Sequence, residues 1–105
     1  MRGKPVSRKL RKIDAVLLAA QWPVGSDAPL ALRVVERRGF VWSDYLHLTP
    51  EELARRIEDG EKIYFGRKQE LAGDYELLDA VQVVNGELQI GSRSLTRDQS
   101  LLPIF

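Results

Sequence analysis

His47 is the only histidine in the 105-residue chain, and it stands close to Asp44 and Tyr45. An imidazole beside a carboxylate and a phenol could act as a general base oriented by an acid. Strand alternation opposes that use, because Tyr45 and His47 would share one face while Asp44 points to the other. The expectation is therefore a histidine at a strand end ahead of a helix, with no partner for catalysis.

Other reactive groups are few. The chain has no cysteine, so it offers no thiol nucleophile, thiolate metal site or disulfide. Glu51, Glu52, Glu58, Asp59 and Glu61 are close in sequence, but their spacing suits the solvated face and the ends of a helix. Glu51 with Arg55 and Glu52 with Arg56 are four apart, the separation of ordinary surface pairs. No metal cage or cofactor is expected. Residues 60–67 contain two glycines, but no helix follows them, so they do not form a phosphate-cradling loop.

Polyanion contact is the chemistry the sequence favours most. Arg2, Lys4, Arg8, Lys9, Arg11 and Lys12 precede any acid, and residues 13–105 hold ten bases against fifteen acids, a net charge of −5. A cationic arm on an acidic body points to nucleic acid, since clustered bases release counterions from phosphates. The candidate contacts are Arg8, Lys9, Arg11 and Lys12, with Arg37 and Arg38 at one turn and Arg67 and Lys68 at another. Trp42 and Tyr64, with Tyr45, are aromatic rings on strands that could stack on bases. The alternative for these rings is ordinary packing, as aromatic burial dominates the core of a small domain.

These residues must be positioned by a short series of elements. Residues 1–12 read as a partly disordered basic arm and residues 13–105 as one domain, a usual size for a single core with 44% hydrophobic residues. The apolar stretch of residues 13–22 suits a buried strand or a helix, and the strand is preferred because a turn at residues 23–29 leads into a second strand. Residues 30–48 read as two antiparallel strands around a turn at Arg37-Arg38-Gly39, where Gly39 supplies positive φ. Thr49-Pro50-Glu51-Glu52 is a capping box with proline at the first helical position, opening a helix from Pro50 to Asp59 that stops at Gly60.

A strand over residues 62–66 and a polar loop from Arg67 to Asp74 follow. Asn85-Gly86 then marks a two-residue hairpin turn that pairs Val84 with Glu87 and sets Val81, Val83, Leu88 and Ile90 on one face. The fold class expected is α+β: an antiparallel, strongly curled sheet or small open barrel of five to six strands with one capped helix.

The readings for function are a small non-enzymatic domain binding RNA or DNA through its basic arm, or a protein-interaction subunit. The second would use a sheet edge, or the apolar end Leu101-Leu102-Pro103-Ile104-Phe105 docked into a protein partner or homodimer. The longest apolar run is too short for a membrane span, and with no cysteine a cytoplasmic location is expected.

Overall fold

A computed structural model of the chain describes residues 12–69, 75–97 and 102–105. Arg8, Lys9 and Arg11 of the basic arm lie outside the described residues.

The ambiguous apolar stretch is strand β1 (Ala15–Gln21), as preferred from the turn that follows it. β2 (Ala31–Arg38) returns antiparallel to it, with Val16 opposite Val35 and Ala20 opposite Leu32. The β2 strand runs through Arg37 and Arg38, so these two arginines lie on the strand and the turn is Gly39-Phe40, with Gly39 at φ 62°. Two short strands share the outer edge of β2: β3 (Val41–Trp42) pairs with its end, and β4 (Leu46–Leu48) pairs with its first half.

The single described helix, α1 (Pro50–Glu58), begins as its sequence requires. Thr49 Oγ1 accepts from the Glu52 backbone N–H at 3.1 Å, and the Thr49 N–H donates to Glu52 Oε1 at 2.9 Å. Both otherwise orphaned donors are thereby satisfied. The helix ends one residue earlier than expected, with Asp59 as the cap and Gly60 at φ 101°. Its Leu53 is fully buried on the sheet, while Ala54 and Ile57 pack beside it.

β5 (Ile63–Lys68) then lies parallel to β1, Ala15 opposite Ile63 and Leu17 opposite Phe65. This corrects the expectation of a wholly antiparallel sheet: the helix carries the chain back to the starting end, so β5 enters in the same direction as β1. Arg67 and Lys68 belong to β5 and not to a loop, because they pair with Glu76 and Tyr75 of β6 (Tyr75–Val84). β6 and β7 (Glu87–Ile90) form the expected hairpin, with Asn85 at φ 52° and Gly86 at φ 80°. Val84 opposes Glu87 and Val81 opposes Ile90, as the two-residue turn demands.

β8 (Arg93–Ser94) closes the order β3-β2-β1-β5-β6-β7-β8. The sheet is open and mostly antiparallel, with eight named strands in place of five to six; β3, β4 and β8 are too short to carry a strand pattern in the sequence. No described helix is long and apolar enough to cross a membrane.

Two apolar clusters lie on opposite faces of the sheet. The larger, beneath α1, contains Leu17, Leu32, Val34, Leu53, Ile63, Phe65, Val81, Leu88, Ile90 and Leu102. On the other face Ile13, Val16, Val35, Trp42 and Tyr75 form a second cluster, with Leu18, Tyr64 and Leu77 against it. Gly66 is required between them. A Cβ at that position would stand 2.7 Å from both Val16 Cγ1 and the Glu76 carbonyl oxygen.

Candidate nucleic-acid interface

The face opposite the helix carries a group of exposed polar and aromatic side chains at the β1–β2–β4 end. β-pairing sets Ala19, Arg33 and His47 in one row across β1, β2 and β4. Because side chains alternate, Tyr45 falls on the same face as His47. The chain end supplies the fourth member. The Ala20 N–H donates to the Pro103 carbonyl and the Phe105 N–H to the Ala20 carbonyl, while Leu102 is buried in the main core. Residues 102–105 are thus seated on the chain's own sheet.

The Arg33 guanidinium carbon lies 4.8 Å from the centre of the Tyr45 ring and 4.3 Å from that of Phe105. Both distances are within the range of cation–π attraction. Arg33 Nε donates to His47 Nε2 at 3.3 Å, and the His47 ring stacks on Phe105 with centroids 5.0 Å apart and an interplanar angle of 19°. Accepting that hydrogen requires His47 Nε2 to be unprotonated. Among the described residues no carboxylate forms an ion pair with Arg33. Tyr45 is 52% exposed, so about half of the residue is open to solvent.

The basic residues singled out by the sequence are dispersed. Arg37 Nε donates to the Ile13 carbonyl, and Arg38 pairs with Glu36 at 2.9 Å. Arg67 is paired with Glu76. Lys12 and Lys68 are exposed. The two basic pairs do not form one surface. Arg37 hydrogen-bonds to Asp14, which also bonds to Lys62, and Arg67 lies five residues further along β5, about 16 Å away.

Of the aromatic candidates, Trp42 is 1% exposed and its ring meets Tyr75 edge to face at 5.3 Å, so it offers no face for stacking. Tyr64 is half-buried against the same cluster. Burial wins here because β3 lays Trp42 over the apolar Val16 and Val35 of its neighbours.

Sequence reasoning missed Arg33 and Phe105. The alternation of residues 30–35 sets Arg33 on the face opposite Leu32 and Val34, which marks it as a surface arginine. That Phe105 would join it has no local signal.

The helix-side face has the opposite charge character. A groove of about 410 Å³ at the start of α1 is lined by apolar Ala28, Pro29, Ala54 and Leu95 together with Asp27, Glu51 and Glu87. Those carboxylates would repel phosphate. Further along, Arg56 Nη1 bonds Glu36 Oε2 at 2.8 Å and holds the Glu36 carboxyl below its ordinary range. Burial raises the carboxyl of Glu61, outweighing the nearby Arg56. These groups tie α1 to β2. Among the described residues no group of acids and histidines is arranged to hold a metal.

Comparison with protein-family models, curated proteins and solved structures finds no match to this chain.

Proposed function

We propose that the protein is a small non-enzymatic binding domain for single-stranded RNA or DNA. Its contact surface is Tyr45, Arg33, His47 and Phe105, and the basic arm, including Arg8, Lys9, Arg11 and Lys12, adds attraction along the phosphate backbone. The observation that carries this reading is the Arg33 guanidinium beside two aromatic rings, 4.8 and 4.3 Å from their centres, on a face where Tyr45 is half exposed. Stacking of a base on such a ring contributes about 1–3 kcal/mol and tolerates any sequence. The guanidinium edge supplies donors suited to phosphate oxygens.

A curled, partly barrel-like sheet fits the same reading, because curvature gathers strand ends and the chain end around one contact face; the approach of Trp42 to Tyr75 supports it. Arg37, Arg38 and Arg67 contribute to the general field, since each already has a partner within the domain. Of the described bases that the sequence singled out, Lys12 and Lys68 are exposed and would face a strand of nucleic acid.

Fluorescence anisotropy with a labelled single-stranded oligonucleotide at low and moderate salt tests this. Binding should weaken with salt, and Tyr45→Ala and Arg33→Ala should each cost about tenfold in affinity. Retention of full affinity by the Tyr45→Ala, Arg33→Ala double variant rules out this contact surface. Absence of salt-sensitive binding to any oligonucleotide rules out the function.

A second reading, protein interaction, is favoured by the exposure of Val24, Leu30 and Ile104, large apolar side chains near the β1–β2 loop and the chain end. Light scattering would then report a dimer or a partner complex that Ile104→Asp disrupts. A monomer whose ligand binding ignores Ile104→Asp excludes it.

A further inference from the structure

Arg33 and His47 share a hydrogen bond that exists in only one protonation state of the ring. Nε2 of His47 accepts from Arg33 Nε, so a proton on that nitrogen removes the acceptor and leaves two cations side by side. The groups in contact with His47 are Arg33 from β2 and the Phe105 ring from the chain end, with Tyr45, just before β4, against Arg33. Among the described residues none of the ion pairs that would offset a second positive charge reaches either side chain. A second positive charge there favours an anion beside the pair.

The geometry also fixes which part of Arg33 such an anion can reach. The guanidinium carbon lies within 5 Å of the Tyr45 and Phe105 ring centres, and Nε is directed to His47. What remains for a ligand is the Nη edge, which presents parallel N–H donors at the spacing of phosphate oxygens. A protonated His47 beside it adds a donor and a charge to the same anion. The ring stack holds both groups in place before the ligand arrives, so little side-chain freedom is lost on binding.

We propose that Arg33 and His47 form a proton-linked phosphate site, in which uptake of a proton by His47 strengthens binding of a phosphate group. This rests on the nucleic-acid reading for the biological source of the phosphate, although the site itself would also take inorganic phosphate. The arm's lysines and arginines keep their charge through neutral and mildly acid pH, so the comparison with a His47 variant isolates the contribution of the imidazole.

Two measurements test the proposal. Affinity for a labelled single-stranded oligonucleotide is measured at fixed salt at about pH 8 and about pH 5.5, with His47→Gln as the control that keeps an acceptor but cannot be protonated. The His47 ring resonances are followed by NMR at both pH values while inorganic phosphate is added. Wild-type affinity should rise about tenfold on acidification and that of His47→Gln should stay nearly flat. Phosphate should shift the His47 resonances, more at the acid value, and Arg33→Ala should abolish the shift.

Equal pH dependence in wild type and His47→Gln overturns the site while leaving nucleic-acid binding intact. Phosphate shifts at His47 without oligonucleotide binding support the site and refute the nucleic-acid reading. Ring resonances that ignore phosphate at both pH values overturn the site whatever the oligonucleotide does.

Discussion

Trp42 on β3 and Tyr75 on β6 meet edge to face with ring centres 5.3 Å apart, although β2, β1 and β5 lie between their strands. In a flat sheet four strand spacings would separate them by about 19 Å. The contact closes the second cluster over Val16 and Val35, both of which are at most 1% exposed. It also consumes an aromatic ring that the sequence left as a candidate for ligand stacking.

Loss of the Trp42 side chain should therefore destabilise the fold by about 3–5 kcal/mol, as for other large buried aromatics. Urea denaturation of Trp42→Ala measures it. In a Trp22→Phe protein the remaining fluorescence comes from Trp42, and it should resist acrylamide and ignore added oligonucleotide. Strong quenching in the folded protein would contradict the burial of the ring.

Gly66→Ala should cost about 1–3 kcal/mol, because the new methyl meets Val16 Cγ1 and the Glu76 carbonyl oxygen, each 2.7 Å from the Cβ position. Adding Val16→Ala relieves only the side-chain clash. The backbone oxygen remains, so the double variant should stay less stable than Val16→Ala alone. Equal melting temperatures for the two would show that β5 shifts freely where its register with β6 slips between Tyr64 and Gly66.

Glu36 and Glu61 should affect stability with opposite pH dependence. The hydrogen bond from Arg56, aided by Arg38, depresses the folded-state carboxyl of Glu36. Its stabilisation is present above the unfolded carboxylate value and is lost as pH falls through the lower folded value. Glu36→Gln should cost about 1 kcal/mol at neutral pH, the scale of a partly exposed ion pair, and nothing at strongly acid pH. Burial raises Glu61, so its contribution is favourable only at acid pH and disappears as pH rises through the folded value. Glu61→Gln should be neutral in acid and stabilising at neutral pH. Matching pH–stability curves for the two variants would refute this assignment.

Thr49→Ala should destabilise the protein by about 1 kcal/mol and Thr49→Ser by much less, since serine keeps the oxygen that accepts from the Glu52 N–H. Thr49 also holds the Glu52 carboxyl below its ordinary range by donating its backbone N–H. That part of the cap is lost as pH falls through the depressed Glu52 value. Thermal unfolding of the two variants at neutral and acid pH checks both statements. A destabilisation by Thr49→Ser equal to that by Thr49→Ala would show that the side-chain oxygen does not hold the cap.

The sequence by itself determined what short-range chemistry controls. Thr49, Pro50 and Glu52 carry the start of α1 within four residues, and Asn85-Gly86 carries the β6–β7 register because both positions need positive φ. Tertiary structure alone decided the rest. The parallel pairing of β1 with β5 joins residues 48 positions apart and leaves no local trace. A period of two sorts side chains into two faces, but it cannot say which face is covered when both carry apolar residues, and here both do. So Trp42 went inward on β3 and Tyr45, just before β4, stayed out, though both are aromatic. The candidate site shows the same limit: Arg33, Tyr45 and His47 meet through β2–β4 pairing, and Phe105 arrives from the far end of the chain because Leu102 is drawn into the core.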